Sequence, residues 1–310
     1  MQLKKVLVIV GSTASGKSAL AIRLAKKFNG EIISADSRQV YKGLDIGTGK
    51  VTKKEMHGIP HHMLDVADPK KQFSASEYKN LADPTLRHIA VRDKLPIVVG
   101  GTGFYIDTLT NTVTLTDVGP NQTLRKNLGK KNAKELFKIL QKKDPRRAKT
   151  IDQYNKVRLI RALEIVEALG HVPKCQPATS TPYRFVYIGL KPAKKDLDEK
   201  IYQRFVARIP GIIRESKKLH NKGLTYKRMH ELGLEYRYIA MYLQSKITKE
   251  EMVMRLNIKI RQYAKRQMTW FKRNKKIRWF TPEEYKKIEK YLKKFLTNFT
   301  TPKSIKAKSL

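Results

Sequence analysis

Five apolar residues, Val6-Leu7-Val8-Ile9-Val10, run directly into Gly11-Ser12-Thr13-Ala14-Ser15-Gly16-Lys17-Ser18. The second segment satisfies G-x-x-x-x-G-K-[ST], and a helical pattern over 18–28 follows it. Strand, glycine-rich turn and helix in that order make a phosphate loop. The glycines let successive backbone N–H groups point inward at a phosphate, and the helix N-terminus adds partial positive charge. Lys17 is expected to reach the outer phosphates and the Ser18 hydroxyl to hold Mg²⁺. An uninterrupted apolar strand suits the centre of a parallel sheet covered on both faces.

The spacing predicts further strands over 31–35, 95–99 and 184–190. Ser74-Ala75-Ser76-Glu77 is a capping box that opens a helix toward Arg92. Strands alternating with helices imply an α/β fold with a mainly parallel sheet, a P-loop NTPase-like core. Asp117-Val118-Gly119-Pro120-Asn121 and the proline-rich stretch 173–182 bracket a segment of helical spacing. Its apolar residues are Ala133, Leu136, Phe137 and Leu140, then Leu159, Leu163 and Val166, with Gly170 placed to end the second run. Residues 117–182 are therefore expected to form a helical insertion domain. Residues 1–116 and 183–300 form the two parts of the core, the second mostly helical, and 301–310 a disordered tail. Thr281-Pro282-Glu283-Glu284 reads as the N-cap, N1 proline and acidic first turn of a last helix.

Asp36 directly follows the 31–35 strand. Ligands in open α/β sheets sit beyond the carboxyl ends of the strands. Asp36 is expected there, on a strand beside the phosphate-loop strand. From spacing alone it reads equally as a site carboxylate or as a turn residue. The 95–99 strand ends in Gly100-Gly101-Thr102-Gly103, without the carboxylate that ATPases use to hold Mg²⁺. That disfavours ATP hydrolysis.

Lys and Arg number 66 against 27 Asp and Glu, a net charge of +39. Like charges repel within a compact fold, so such an excess points to a polyanionic partner. Nucleic acid comes first and an anionic membrane second. Residues 255–273 read as one amphipathic helix with Leu256, Ile260, Tyr263, Gln267 and Trp270 inward. Lys259, Arg266 and Arg273 form one outer flank, and Arg261, Lys265 and Lys272 another. The flanks suit an RNA backbone track; the alternative is a solvated basic face. Cys175 is the single cysteine, so no internal disulfide and no zinc module is expected. No run of 18 apolar residues occurs, and residues 1–10 enter the phosphate loop too soon for a signal peptide. The expectation is a cytoplasmic protein without membrane contact. His57 and His61 are separated by Gly58 and Pro60, so they share no helix face as zinc ligands do; His61-His62 read as structural or substrate-orienting.

Nine stretches in chain order carry a resemblance: GSTASGKS (11–18), SADSRQVY (34–41), IGTGK (46–50), PHHMLD (60–65), FSASEY (73–78), GGTGFY (100–105), VRLIRALEI (157–165), YR (236–237) and AKRQMTWF (264–271). Together they resemble the tRNA dimethylallyltransferase (tRNA isopentenyltransferase) family. The resemblance implies transfer of a dimethylallyl group from its diphosphate to N6 of the adenosine at tRNA position 37. It implies Mg²⁺ as cofactor and, as partners, dimethylallyl diphosphate and the tRNA anticodon stem-loop, bound by a monomer. The loop residues Gly11, Thr13, Ala14, Ser15, Gly16, Lys17 and Ser18 would hold the diphosphate. By resemblance Asp36 is the general base on the amine, with Lys17 and Thr102 also at the reacting centre. Ser37, Arg38 and Gln39 would help hold the flipped base. Arg158, Arg161, Tyr236, Arg237, Lys265, Arg266, Gln267, Trp270 and Lys272 match tRNA-contacting positions. Ser12 replaces the family's usual Pro, Gly49 its usual Ala, and Glu235 stands where many members have Gly.

Three other readings share parts of this pattern. A phosphate-loop kinase for a small metabolite needs neither the charge nor the basic C-terminal half. An isopentenyltransferase for free adenine nucleotide needs little RNA surface. A non-catalytic RNA-binding module needs neither an intact phosphate loop nor Asp36.

Overall fold

The structure, a computed structural model, describes residues 3–174 and 181–297. Cys175 and the tail expected to be disordered lie outside them. The chain folds as two compact units, an α/β unit, Met1–Thr110 with Ser180–Leu310, and a helical unit, Asn111–Thr179.

Among the described residues the α/β unit holds one sheet of six parallel strands: β1 (Lys4–Gly11), β2 (Gly30–Ser34), β3 (His61–His62), β4 (Leu95–Gly100), β5 (Tyr183–Leu190) and β6 (Ile277–Phe280). Their order is β3-β2-β4-β1-β5-β6. β1 is central, with Leu7 opposite Ile97 of β4 and Val186 of β5. Side-chain alternation divides it between two cores. Val6, Val8 and Val10 join one, while Leu7 and Ile9 join the other, and all five are fully buried. One expectation fails here. β2 does not neighbour β1, because β4 lies between them. Asp36 thus ends a strand two places from the phosphate loop.

The helices are α1 (Lys17–Lys27), α2 (Lys53–Met56), α3 (Ala75–Val91) and α4 (Gly103–Leu109), then α5 (Gln122–Gly129), α6 (Ala133–Lys143), α7 (Pro145–Ala148) and α8 (Lys156–Leu169), then α9 (Lys194–Asn221), α10 (Tyr226–Leu232), α11 (Leu234–Leu243), α12 (Lys249–Phe271) and α13 (Tyr285–Thr297). α1 packs Leu20, Ala21, Leu24 and Ala25 on one sheet face, joined by Ile288 and Leu292 of α13. α3, α4, α10 and α11 contribute to the core on the opposite face. A further core joins α9, α11 and α12 through Phe205, Ile239, Leu256 and Ile260.

Two helix boundaries differ from expectation. α12 starts at Lys249 rather than 255, because Thr248 and Glu251 form a capping box ahead of the basic stretch. α13 starts at Tyr285; Thr281 N donates to Glu284 Oε2 at 2.9 Å, but Pro282 and Glu283 close a turn rather than a helix. The two short edge strands, β3 and β6, have too few residues for a sequence period to show.

The helical unit packs Leu128, Leu136, Leu140, Leu159, Leu163 and Val166 into a core of its own. Gly170 ends α8 with φ 76. Glu164 is buried there and accepts from Arg125 Nε at 2.6 Å, Arg161 Nη1 at 2.9 Å and Asn121 N at 2.8 Å. Burial opposes its ionisation, but those hydrogen bonds prevail and hold the carboxyl down to about 2.

Candidate active site

The loop after β1 curls tightly enough to need left-handed backbone at Ala14 (φ 60) and Gly16 (φ 88). That turn delivers Lys17 and Ser18 into the first turn of α1. Lys17 Nζ donates to Ser12 O at 3.0 Å. Burial pushes its ammonium down to about 8; Asp36 opposes that shift and Arg204 adds to it. A buried cation with weakened protonation gains most when an anion arrives.

Asp36 reaches this region because β4 ends in Gly100, which has no side chain. A Cβ on Gly100 would collide with the Ala35 carbonyl. With none there, Ala35 N donates to Val99 O at 2.8 Å and Thr102 N donates to Ala35 O at 3.1 Å. The chain then crosses the end of β4 instead of turning away. Asp36 Oδ1 accepts from Arg38 N at 2.9 Å and Gln39 N at 3.3 Å, which fixes the carboxylate's orientation. Thr102 Oγ1 accepts from Ser37 N at 2.9 Å. Lys17, Ser18, Thr13, Asp36, Ser37, Arg38 and Gln39 all line one cavity of about 340 Å³. Tyr263 also lines it, and burial pushes its phenol up to about 12, Asp36 adding to the effect and Thr102 opposing it. A second cavity, about 790 Å³, shares Lys17, Ser18, Gly49 and Arg204 with the first.

The loop 45–50, whose sequence shows a motif but no role, lines both cavities: Thr48 and Gly49 the first, Asp45, Ile46, Gly49 and Lys50 the second. Glu215 of α9 holds it: its carboxylate accepts from the backbone N–H of Asp45 (2.9 Å), Ile46 (2.6 Å) and Gly47 (3.0 Å) and from Tyr236 Oη (2.7 Å). Arg208 Nη1 donates to Ile46 O at 2.9 Å and Arg204 Nη2 to Gly49 O at 3.1 Å. Nothing local in the sequence marks Glu215, Arg204 or Arg208, since the loop groups they bind lie about 155 or more residues away. Glu235 lines the first cavity, and burial pushes its carboxyl up, with Arg208 opposing.

The residues assigned to RNA by resemblance divide into groups. Lys265, Arg266, Lys272 and Arg237 are exposed on the α/β unit, and Arg158 is exposed on the helical unit. Trp270 is half-buried, its Nε1 donating to Asp107 at 2.9 Å and Arg273 stacked 3.8 Å from its ring. Three others are committed internally. Tyr236 is 1% exposed and bonded to Glu215. Arg161 pairs with Glu164 and donates to Val118 O at 2.7 Å. Gln267 is 5% exposed, with both amide atoms bonded to protein. His62 Nε2 lies 2.8 Å from Glu31, which also pairs with Arg92 and Lys94, an ion cluster at the sheet edge. Those hydrogen bonds, Arg92's foremost, hold Glu31 down to about 2.

The donor set suits Mg²⁺ that arrives with a phosphorylated substrate. The Ser18 hydroxyl lines the cavity beside Lys17. Among the described residues no group of three His, Cys, Asp or Glu could cage a metal. Mg²⁺ is commonly held in this way, by one or two protein oxygens plus substrate phosphates and water.

A phosphate loop on the central strand of a wholly parallel sheet, with helices on both faces, defines an α/β protein of the P-loop class. Residues 39–274 match the family model described as IPP transferase. A tRNA dimethylallyltransferase of Limosilactobacillus reuteri (strain DSM 20016) is 38% identical over 306 residues, spanning 95% of this chain and 99% of that protein. A tRNA dimethylallyltransferase 2 of Treponema denticola is 42% identical over 275 residues, 87% of this chain and 92% of the relative. Among solved structures, a full-length tRNA isopentenylpyrophosphate transferase from Bacillus halodurans superposes with a TM-score of 0.70 at 36% identity, covering 94% of this chain and 96% of its own. A eukaryotic dimethylallyltransferase acting on tRNA gives 0.79 at 26% identity, covering 97% and 81%. The chain belongs to the IPP transferase family.

Proposed function

We propose that this protein is a monomeric, cytoplasmic enzyme that transfers a dimethylallyl group from dimethylallyl diphosphate to N6 of adenosine 37 in the anticodon stem-loop of tRNA. The observation that carries the reading is one cavity lined by a phosphate-loop lysine and a carboxylate from another strand. A phosphoryl-transfer site needs its nucleophile at phosphorus. Here the pairing suits alkyl transfer, with the diphosphate as leaving group and the amine on the far side of the allylic carbon.

The phosphate loop binds the diphosphate through its N–H groups, and Lys17 stabilises the charge that develops as the C1–O bond breaks. The electron pair of that bond leaves with the diphosphate. Ser18 would hold Mg²⁺, which when bound supplies further charge neutralisation at the leaving group. The adenine leaves its stack to be alkylated, as bases do in other base-modifying enzymes. Ser37, Arg38 and Gln39 hold it, and Thr102 keeps Ser37 in place. Asp36 orients the exocyclic amine and takes the N6 proton as the N6–C1 bond forms. Tyr263, with its phenol pushed up, remains a neutral donor within the cavity.

The exposed cations of α12 supply the RNA backbone track, and Arg158 a contact from the helical insertion. Incubation with unmodified tRNA and dimethylallyl diphosphate, followed by nucleoside mass analysis, tests the reading. N6-(dimethylallyl)adenosine in the digest is expected. Transfer of labelled γ-phosphate from ATP to a small acceptor, without prenylated nucleoside, would sink it.

A further inference from the structure

Gln267 stands on α12 with its amide bound on two sides. Its Oε1 accepts from Thr13 N at 2.8 Å, inside the phosphate loop, and its Nε2 donates to Gly101 O at 2.9 Å. Space for it depends on residue 101 being glycine, since a Cβ there would collide with Nε2 and lie 3.9 Å from Lys17 Nζ. Thr102 follows immediately, and its hydroxyl holds Ser37 N beside Asp36. The ladder between β1 and β4 stops at Val10 opposite Gly100. Beyond it Gly11 still pairs with Leu190 of β5, and the two segments then part as separate loops. The Gln267 amide bridges those loops past the last ladder bond.

We propose that Gln267 is a positioning residue: its amide fixes the phosphate loop against the Gly101–Thr102 segment and so sets the separation between the allylic carbon and the amine. This rests on the reaction proposed above. The leaving group is held by one loop and the nucleophile by residues anchored to the other. A misplacement of about 1 Å costs on the order of 10²-fold in rate. It also opens the allylic carbon to water. In that side reaction the C1–O bond breaks with its electron pair on the diphosphate, a water oxygen bonds to C1, and the water proton passes to solvent. Dimethylallyl alcohol results and the adenosine is unchanged.

Gln267→Met keeps the volume and removes both hydrogen bonds. Hydrogen exchange with inorganic pyrophosphate present tests the link without any turnover. In the wild type, pyrophosphate is expected to slow exchange over both 11–18 and 101–105. In Gln267→Met only 11–18 is expected to respond; protection of both segments in the variant overturns the proposal. With tRNA and dimethylallyl diphosphate, the single-turnover rate of Gln267→Met is expected to fall by on the order of 10²-fold. Affinities for both substrates change little, and the alcohol share of products rises. Leu292→Val is the structural control, since Leu292 of α13 is buried in the core on the α1 face of the sheet, which includes none of residues 11–16 or 101–102. It lowers Tm without raising the alcohol share. An unchanged product ratio in Gln267→Met, or an equal rise in Leu292→Val, contradicts the proposal. A wild type that yields no prenylated adenosine counts against the reaction itself, while the exchange experiment still decides the link.

Discussion

The Ala35 carbonyl occupies the space in which a side chain at position 100 would begin, and Gly100 leaves that space clear. The contact joins the ends of β2 and β4, and β4 in turn pairs with β1. Asp36 starts two strands away from the phosphate loop, and this close crossing brings it into one cavity with Lys17.

Gly100→Ala is therefore expected to separate the two ends of the site. Overpacking against backbone costs about 1–3 kcal/mol, to be read as a lower urea midpoint at unchanged m-value. The transfer rate should fall further than that stability loss explains, because the folded fraction stays near one. A variant with wild-type rate would show that the crossing does not set Asp36's place.

Lys17 gives a pH dependence with a defined sign. Its pKa is lowered to about 8, and the protonated form binds the diphosphate. Binding is full below that value and is lost as pH rises through it. kcat/KM for dimethylallyl diphosphate should fall above about pH 8 with a slope of one proton, since that ratio reports groups of the free enzyme. Lys17→Ala should weaken diphosphate binding while tRNA affinity stays near wild type. Equal loss of both affinities would contradict the separation of the two sites.

Binding to tRNA should weaken steeply with salt. Arg266→Ala, which removes an exposed cation from α12, should lower the slope of log K against log salt by roughly 0.7–0.9. Arg273→Ala should lower the slope by less, because its guanidinium is already stacked on Trp270. Unchanged slopes in both would place the RNA track elsewhere.

The helical insertion should depend on Glu164. Glu164→Gln leaves Arg125 and Arg161 without their counter-charge. The expected loss is about 3 kcal/mol, the low end for a buried pair, since both guanidiniums stay partly in water. With its pKa lowered to about 2, the carboxylate's contribution is present above the ordinary carboxylate range. It is lost as pH falls toward 2. Hydrogen exchange in α5 and α8 measures both effects; no change in the variant would mean the cluster contributes nothing net.

Features set by short spacing were legible in the sequence. Gly16 and Lys17 mark the phosphate loop because the turn and the helix start are local. Asp36 could be placed at a strand end, but not beside its true neighbour, because strand order is a non-local property. The same T-x-x-E pattern opens α12 at Thr248 and closes only a turn at Thr281, where Pro282 follows at once. Helical spacing puts Gln267 on the inner stripe of α12, while the resemblance assigns it to RNA. Only packing shows what its amide meets, Thr13 on one side and Gly101 on the other. Glu215 carries no local signal at all, because its carboxylate is matched to N–H groups about 170 residues earlier.

The central claim is that Asp36 takes the proton from N6. Asp36→Asn keeps the size and the hydrogen bonds from Arg38 N and Gln39 N but cannot accept the proton. Single-turnover transfer to tRNA, measured across a Mg²⁺ series, tests it most directly. The account predicts a rate lower by roughly 10²–10⁴ at every Mg²⁺ concentration, with affinity for dimethylallyl diphosphate little changed. Recovery of the rate at high Mg²⁺ would contradict it and make Asp36 a metal ligand instead.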